Sequence, residues 1–206
     1  MVDISKLNKI EVDVLRETGN IGCAHAATAI SNKIKRKINI SVPEIEIIKV
    51  EDLNDKISEF KSGTDKVAAI YQEMIENFSG SILFIFPTHS ALAITDLLLQ
   101  RDIGITKEFA QTEINALLDV GETMVKAYTE ALGGFFNEQI GISKPMFTHD
   151  IPDAVMDNIR KILDKETTHA VVFNTLLTDE EKLFKSYFII LPSPTALDTM
   201  INKLLS

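Results

Sequence analysis

Cysteine, tryptophan and long apolar runs are scarce in this sequence, and the scarcity removes whole classes of protein. One cysteine, Cys23, stands among 206 residues, so neither a disulfide framework nor a cysteine-built metal site can be assembled. No stretch approaches the roughly 18 consecutive apolar residues of a membrane helix. The opening MVDISKLNKIEVD is charged throughout, where a secretory signal would be apolar. Lysine and arginine number 21 against 30 aspartates and glutamates, a formal net charge of -9. Nucleic acid and anionic membrane surfaces reward concentrated positive charge, so neither is expected as the main partner. The one basic cluster, Lys33 to Lys37, is short and reads as a helix C-terminus complementing its dipole. A soluble cytoplasmic protein without membrane insertion is the expectation.

With 45% hydrophobic residues, a chain of 206 can bury a real core. Length alone allows one large domain or two small ones. Self-similarity decides more. Shifted by 102 positions, Leu15 meets Leu117, Gly19 meets Gly121 and Ala29 meets Ala131; Ile38, Ile40, Ser41 and Pro43 meet Ile140, Ile142, Ser143 and Pro145. The same shift lays VAAIYQEM (67–74) over HAVVFNTL (169–176), and a shift of 105 lays SILFIFP over SYFIILP. Each copy reads as a long amphipathic helix, a strand running through the proline, two further strands and a closing helix. The strands are read from INISV, VAAIY, GSILFIFP, AVVFNTLL and SYFIILP. The closing helices have caps at Thr88 or Ser90 and at Ser193 or Thr195. A connector with a turn at Gly104 and a helix start at Thr106 joins the copies, and segments 51–65 and 149–166 read as polar helical or loop excursions. The expectation is an α/β fold, internally duplicated, with a mixed or antiparallel sheet packed against two long helices related by a pseudo-twofold. One domain is expected over 1–206, built of repeats at about 5–100 and 107–206, because neither half could cover its sheet alone.

In the first helix, Leu7, Ile10, Val14 and Ile21 form an apolar stripe expected to face the sheet. Asp13, Glu17, Asn20, Ala24, Ala27 and Ser31 fall on a second stripe, polar at one end and small at the other. Gly19 and Gly22 each cost about 1 kcal/mol against alanine in a helix interior, so their presence predicts close packing or close approach by a partner backbone. An acidic and amide face of this kind is either solvated surface or a face that acts on something else. GNIG lacks the third glycine, the Lys-Ser/Thr pair and the preceding strand of a phosphate-cradling loop. Cys23 and His25 lie on different helix faces and make a poor nucleophile and base. His25, His89, His149 and His169 lack metal-ligand spacing.

The spacing of Asp13, Glu17 and Asn20, followed by 22 residues to Pro43, resembles the signature of the CheC/CheX/FliY phosphatase family of bacterial and archaeal chemotaxis. GNIG followed by AHAATAIS is similar to the heart of that signature, and the duplication over almost the full length looks like the CheC branch. The resemblance implies hydrolysis of the aspartyl phosphate on a phosphorylated CheY-type response regulator. It implies that Glu17 pairs with the lysine beside the regulator's phosphoaspartate, that Asn20 holds water in line with phosphorus, and that Asp13 supports that face. It implies Mg²⁺ carried by the regulator and no cofactor bound by this chain. The residue types suit the task, because phosphoryl transfer asks mostly for positioning and electrostatics. An amide orients water without bringing negative charge to a phosphoryl group, and about 3 kcal/mol gained this way is roughly a hundredfold in rate.

At the equivalent positions of the second copy stand Asn115, Asp119 and Glu122. Asp119 loses a methylene of reach, and Glu122 would set a carboxylate against a dianionic phosphoryl group. One working site, in the first repeat, is therefore expected. The resemblance also admits a non-catalytic binding module of the same fold, either an adaptor for the deamidase CheD or a relative of the flagellar switch.

Overall fold

The computed structural model describes residues 8–58, 66–76, 78–163, 167–179 and 182–204. The chain begins with a 26-residue helix, α1 (Lys9–Ile34), and continues through β1 (Ile38–Lys49), a short 3-10 turn at 50–52 and α2 (Leu53–Ser58). The hairpin β2 (Val67–Glu76) and β3 (Gly80–Pro87) leads into α3 (Thr88–Leu98). A second 26-residue helix, α4 (Gln111–Phe136), opens the other half. It is followed by β4 (Ile140–Ile142), β5 (Met146–Asp150), α5 (Pro152–Ile162), β6 (His169–Asp179), β7 (Lys182–Pro192) and α6 (Pro194–Leu204).

The seven strands form one sheet in the order β1-β6-β7-β3-β2-β4, with β5 also pairing β2, and each pairing is antiparallel. The order reads the same from either end when the halves are exchanged. Each half lends its first strand to the other: β1 pairs β6 of the second half, and β4 and β5 pair β2 of the first. The prolines explain the outer strands. A proline has no N–H for a ladder and is tolerated at edges and bulges. Pro43 falls in the register shift between Ser41 and Glu44, and Pro145 falls in the gap between β4 and β5.

The pairing also corrects the repeat register in the two inner strands. Ile70 sits opposite Phe84 in one hairpin, and Phe173 sits opposite Phe188 in the other. All four side chains belong to the core under α1 and α4. Phe84 and Phe188 then face each other across the centre of the sheet, with ring centroids 4.7 Å apart. The second strands therefore correspond at a shift of 103 and the third at 104, instead of 102 and 105. Because side chains alternate faces, a one-residue slip would have sent each of these rings to the opposite side of the sheet.

One face of the sheet carries α1, α3, α4 and α6 over a core centred on Phe84, Phe173, Phe188 and Tyr128. The other face is closed by α2 and α5, which bury Leu53, Ile57, Val155, Met156 and Ile159 against Tyr71, Leu83, Val172 and Ile189. Both of the helical or loop excursions read from sequence contain helices, and these cover the sheet; residues 59–65 and 164–166 lie outside the described residues. The helix start expected at Thr106 is displaced to Gln111. Thr106 is already committed: its N–H donates to Asp96 Oδ1 at 2.9 Å and its hydroxyl accepts from Arg101 at 3.2 Å. At the closing helices, Ser193 caps α6 by accepting from the Ala196 N–H at 3.1 Å. Thr88 instead donates its hydroxyl to the Lys66 carbonyl, and Ser90 is buried inside α3.

Candidate functional site

The buried side of α1 is made of small residues. Leu15, Thr18, Gly19, Gly22, Cys23, Ala26 and Ile30 recur at helical spacing and are all buried. The apolar stripe expected from Ile10 and Ile21 is not the core face: Ile10 is 66% exposed and Ile21 is half-buried. Leu7 and the Val14 side chain lie outside what is described. A pattern based on large aliphatic residues misplaces the face because the bulk comes from the opposite side of the interface. A Cβ on Gly19 would overlap the Phe173 ring of β6, and one on Gly22 would overlap the Tyr128 ring of α4. The two glycines let α1 settle onto these rings, which fixes its rotation about its own axis.

That rotation presents Asp13, Glu17 and Ala24 to solvent, with Asn20 half-buried on the flank of the same stripe. Ala27, assigned to the stripe from sequence, is buried, and Ser31 is tied into the α1 to β1 turn, where its hydroxyl accepts from the Ile38 N–H at 2.9 Å. Glu17 and Asn20 stand one turn apart, a rise of about 4.5 Å along the axis. No side-chain hydrogen bond or ion pair to another described residue engages either of them. Asp13 accepts from Arg16 Nη1 at 3.1 Å in an exposed i, i+3 pair, which contributes little stability. Two free polar heads, a carboxylate and an amide, therefore share an accessible face beside the low surface of Ala24.

In the second half, Asn115, Asp119 and Glu122 are likewise exposed on α4. Two of the three are engaged. Lys33 of α1 reaches across to Asp119, Nζ to Oδ2 2.5 Å, and Gln111 donates to Asn115 Oδ1 at 2.8 Å. The Lys33 contact is long-range and has no signature in spacing along either helix. The other candidates resolve simply. Burial pushes the Cys23 thiol up to about 12, and His25 is exposed on another face. Among the described residues no group of three or more His, Cys, Asp or Glu side chains is placed to hold a metal ion. Nor is any described helix long and apolar enough to cross a membrane.

Comparison with known proteins shows the family and the fold. The model of the CheC-like family matches residues 10–47, which span α1 and most of β1. CheY-P phosphatase CheC of Bacillus subtilis is 30% identical over 188 residues, covering 88% of both chains. Flagellar motor switch phosphatase FliY of the same organism is 26% identical over 144 residues, 69% of this chain but 36% of that protein. Among solved structures, FliY of Thermotoga maritima superposes with a TM-score of 0.82 at 19% identity, over 97% of this chain and 98% of that one. The FliM middle domain from H. pylori superposes at 0.66 with 12% identity, over 96% and 99%. CheX from the CheX-CheY-BeF3-Mg+2 complex of Borrelia burgdorferi does so at 0.54 with 11% identity, over 86% and 99%. The superpositions establish the fold, and the extended identity to CheC, with the family motif seated on α1, establishes that this chain belongs to the CheC/CheX/FliY family of CheY-P phosphatases.

Proposed function

We propose that this chain hydrolyses the aspartyl phosphate of a CheY-type response regulator, with Glu17 and Asn20 as the catalytic pair and Asp13 in support. The observation that carries the reading is the pair itself: a carboxylate and a carboxamide one turn apart, accessible and without side-chain partners among the described residues. Glu17 anchors the regulator by ion pairing with the lysine beside its phosphoaspartate. The Asn20 carbonyl accepts a hydrogen bond from a water and holds it in line with phosphorus. Water oxygen bonds to phosphorus as the bond between phosphorus and the aspartyl oxygen breaks. The electron pair leaves with the aspartate, the water proton passes to solvent or phosphate, and the products are free aspartate and inorganic phosphate. Mg²⁺ bound to the regulator offsets the phosphoryl charge, and this chain contributes position and electrostatics.

The names of the relatives support the substrate: one is a CheY-P phosphatase and the other a flagellar motor switch phosphatase. Phosphate release from the cognate phosphorylated regulator is the test. The wild-type chain accelerates release, and a Glu17→Ala, Asn20→Ala double variant loses about a hundredfold of the acceleration, near 3 kcal/mol, while keeping its circular dichroism. An unchanged rate in that variant refutes the assignment. Binding of the regulator without any acceleration by the wild-type chain assigns the protein to the binding-module reading instead.

A further inference from the structure

Ile10 is the most exposed large apolar side chain among the described residues, at 66%. A lone exposed isoleucine is ordinary, but the position of this one is not. At 100° per residue, Ile10, Glu17, Ile21 and Ala24 fall within an arc of about 60° on α1, and at 1.5 Å per residue they extend about 21 Å along it. Asp13 and Asn20 lie to one side of Glu17, and Ile10 and Ile21 to the other. Ile10 and Ala24 are exposed and Ile21 is half-buried. The stripe that a pattern of large aliphatic residues assigns to the core thus runs beside Glu17 and Asn20 on the outside of the molecule.

The second half supplies an internal control. Helices α1 and α4 are both 26 residues long and correspond from end to end at a shift of 102. At that shift Ile10, Ile21 and Ala24 correspond to Thr112, Thr123 and Lys126. The same face of the same scaffold is therefore polar in the other copy. Thr112 is exposed, Thr123 donates its hydroxyl to the Asp119 carbonyl at 2.8 Å, and Lys126 lies 4.0 Å from Glu130 in a solvated i, i+4 pair. Packing does not demand isoleucine at these places, since both helices rest on the core through their opposite faces. The apolar residues instead follow the chemistry: they stand in the copy that bears Glu17 and Asn20 and are missing from the copy that bears Asp119 and Glu122. An apolar margin beside polar heads is the anatomy of a protein docking face, where it buries area and excludes water from the contact at its centre. A lower local dielectric then strengthens the pairing of Glu17 with a cation of the partner.

We propose that Ile10 and Ile21 are the apolar grips of the face on which the phosphorylated regulator docks, set against apolar surface beside its phosphoaspartate. This rests on the phosphatase reading and adds to it the residues that hold the partner. They are docking residues and touch no reacting atom, so their signature lies in KM and Kd and not in kcat. The test combines steady-state phosphate release with calorimetric titration of the cognate regulator carrying beryllofluoride in place of its phosphoryl group, on the full chain. Ile10→Thr, which copies the second half at an exposed position, raises both KM and Kd by about threefold or more, with kcat within about twofold and the melting curve in place. Adding Ile21→Thr takes the rise to about tenfold or more. Ile105→Thr, at a position 61% exposed on the connector before α4, changes neither constant. Because Ile21 is half-buried, the single variant at Ile10 is decisive by itself. Unchanged KM and Kd in Ile10→Thr, with hydrolysis still dependent on Glu17 and Asn20, overturns the docking stripe and spares the phosphatase reading. Hydrolysis that persists without Glu17 and Asn20, with Kd still raised by Ile10→Thr, refutes that catalytic assignment and leaves the stripe. A loss confined to kcat, or an equal loss in Ile105→Thr, overturns the stripe as well.

Discussion

Lys33 on α1 grips Asp119 on α4, Nζ to Oδ2 2.5 Å, whereas Glu17, which occupies the place of Asp119 in the first half, has no such cation among the described residues. The residue at the place of Lys33 in the second half is Phe135. The halves thus share a scaffold but differ in whether the acid on the outer stripe is open to a partner. The Lys33 pair is solvent-exposed, with 62% of the Asp119 side chain accessible, so its loss costs under about 1 kcal/mol. Lys33→Ala is expected to shift Tm by less than about 4 °C in a chain of this size. If catalysis resides at Glu17 and Asn20, it leaves phosphate release unchanged. A clear rise in rate would show that Asp119 is a working acid that Lys33 restrains.

Asn20→Asp isolates charge from shape. The side chain keeps its size and half-buried position on α1, but a carboxylate replaces the amide next to an incoming phosphoryl group. Like-charge contact in a partly excluded site costs more than it would in water. Phosphate release should fall at least tenfold while the melting curve stays in place. Equal activity in the two proteins would mean that the amide does not meet the phosphoryl group.

Gly19 and Gly22 make a stability prediction with opposite signs at different sites. A methyl at either position overlaps an aromatic ring, Phe173 or Tyr128, and overpacking of this kind costs about 1–3 kcal/mol. Gly19→Ala and Gly22→Ala should each lower Tm by about 3 to 10 °C. Gly134 in α4 is exposed, and a Cβ there meets nothing within 4 Å. Gly134→Ala should therefore raise Tm by about 2 to 4 °C through helix propensity alone. Differential scanning calorimetry of the three variants checks both signs.

These glycines also show what sequence could and could not deliver. Their cost in a helix announced a close approach, and the strands were legible because β-branched and aromatic runs leave few alternatives. The identity of the approaching groups was not legible: Phe173 and Tyr128 lie more than 100 residues away along the chain. For the same reason the core face of α1 was misplaced, since a face of Gly, Ala and Cys carries little hydrophobic signal. The outer stripe of Asp13, Glu17 and Asn20 was readable from its spacing, and Asp13 and Glu17 do stand in solvent. The Lys33 to Asp119 contact and the Asp96 loop depend on tertiary register, which spacing within one helix does not encode.

Cys23 is 5% exposed, and burial pushes its thiol up to about 12. Thiolate, the reactive form, is then negligible at neutral pH. Iodoacetamide at pH 8 should leave the native chain unmodified over the time in which the same chain in denaturant is fully alkylated. Mass spectrometry reads the difference. Rapid native alkylation would mean that α1 lifts from the sheet far more often than its packing allows.

Asp96 supplies the acid-side prediction. It is fully buried, and burial pushes its carboxyl up, but hydrogen bonds from Thr106, Gly104 and Ile105 outweigh this and hold it below its ordinary 3.8. A carboxyl lowered on folding binds fewer protons in the native state than in the unfolded one near that pH. Its stabilisation is therefore complete above the unfolded value and is lost as pH falls through the folded one. Asp96→Asn removes the charge and, in either amide orientation, turns an NH₂ toward an N–H donor, Thr106 on the Oδ1 side or Gly104 and Ile105 on the Oδ2 side, at a cost of about 1–3 kcal/mol at pH 7. Urea melts from pH 7 to pH 3 should show the wild type losing stability below about pH 4, with the gap to the variant narrowing as the carboxyl titrates. A gap that stays constant across that range would mean that the carboxyl titrates alike in the folded and unfolded states, and that the connector is held by something other than its charge.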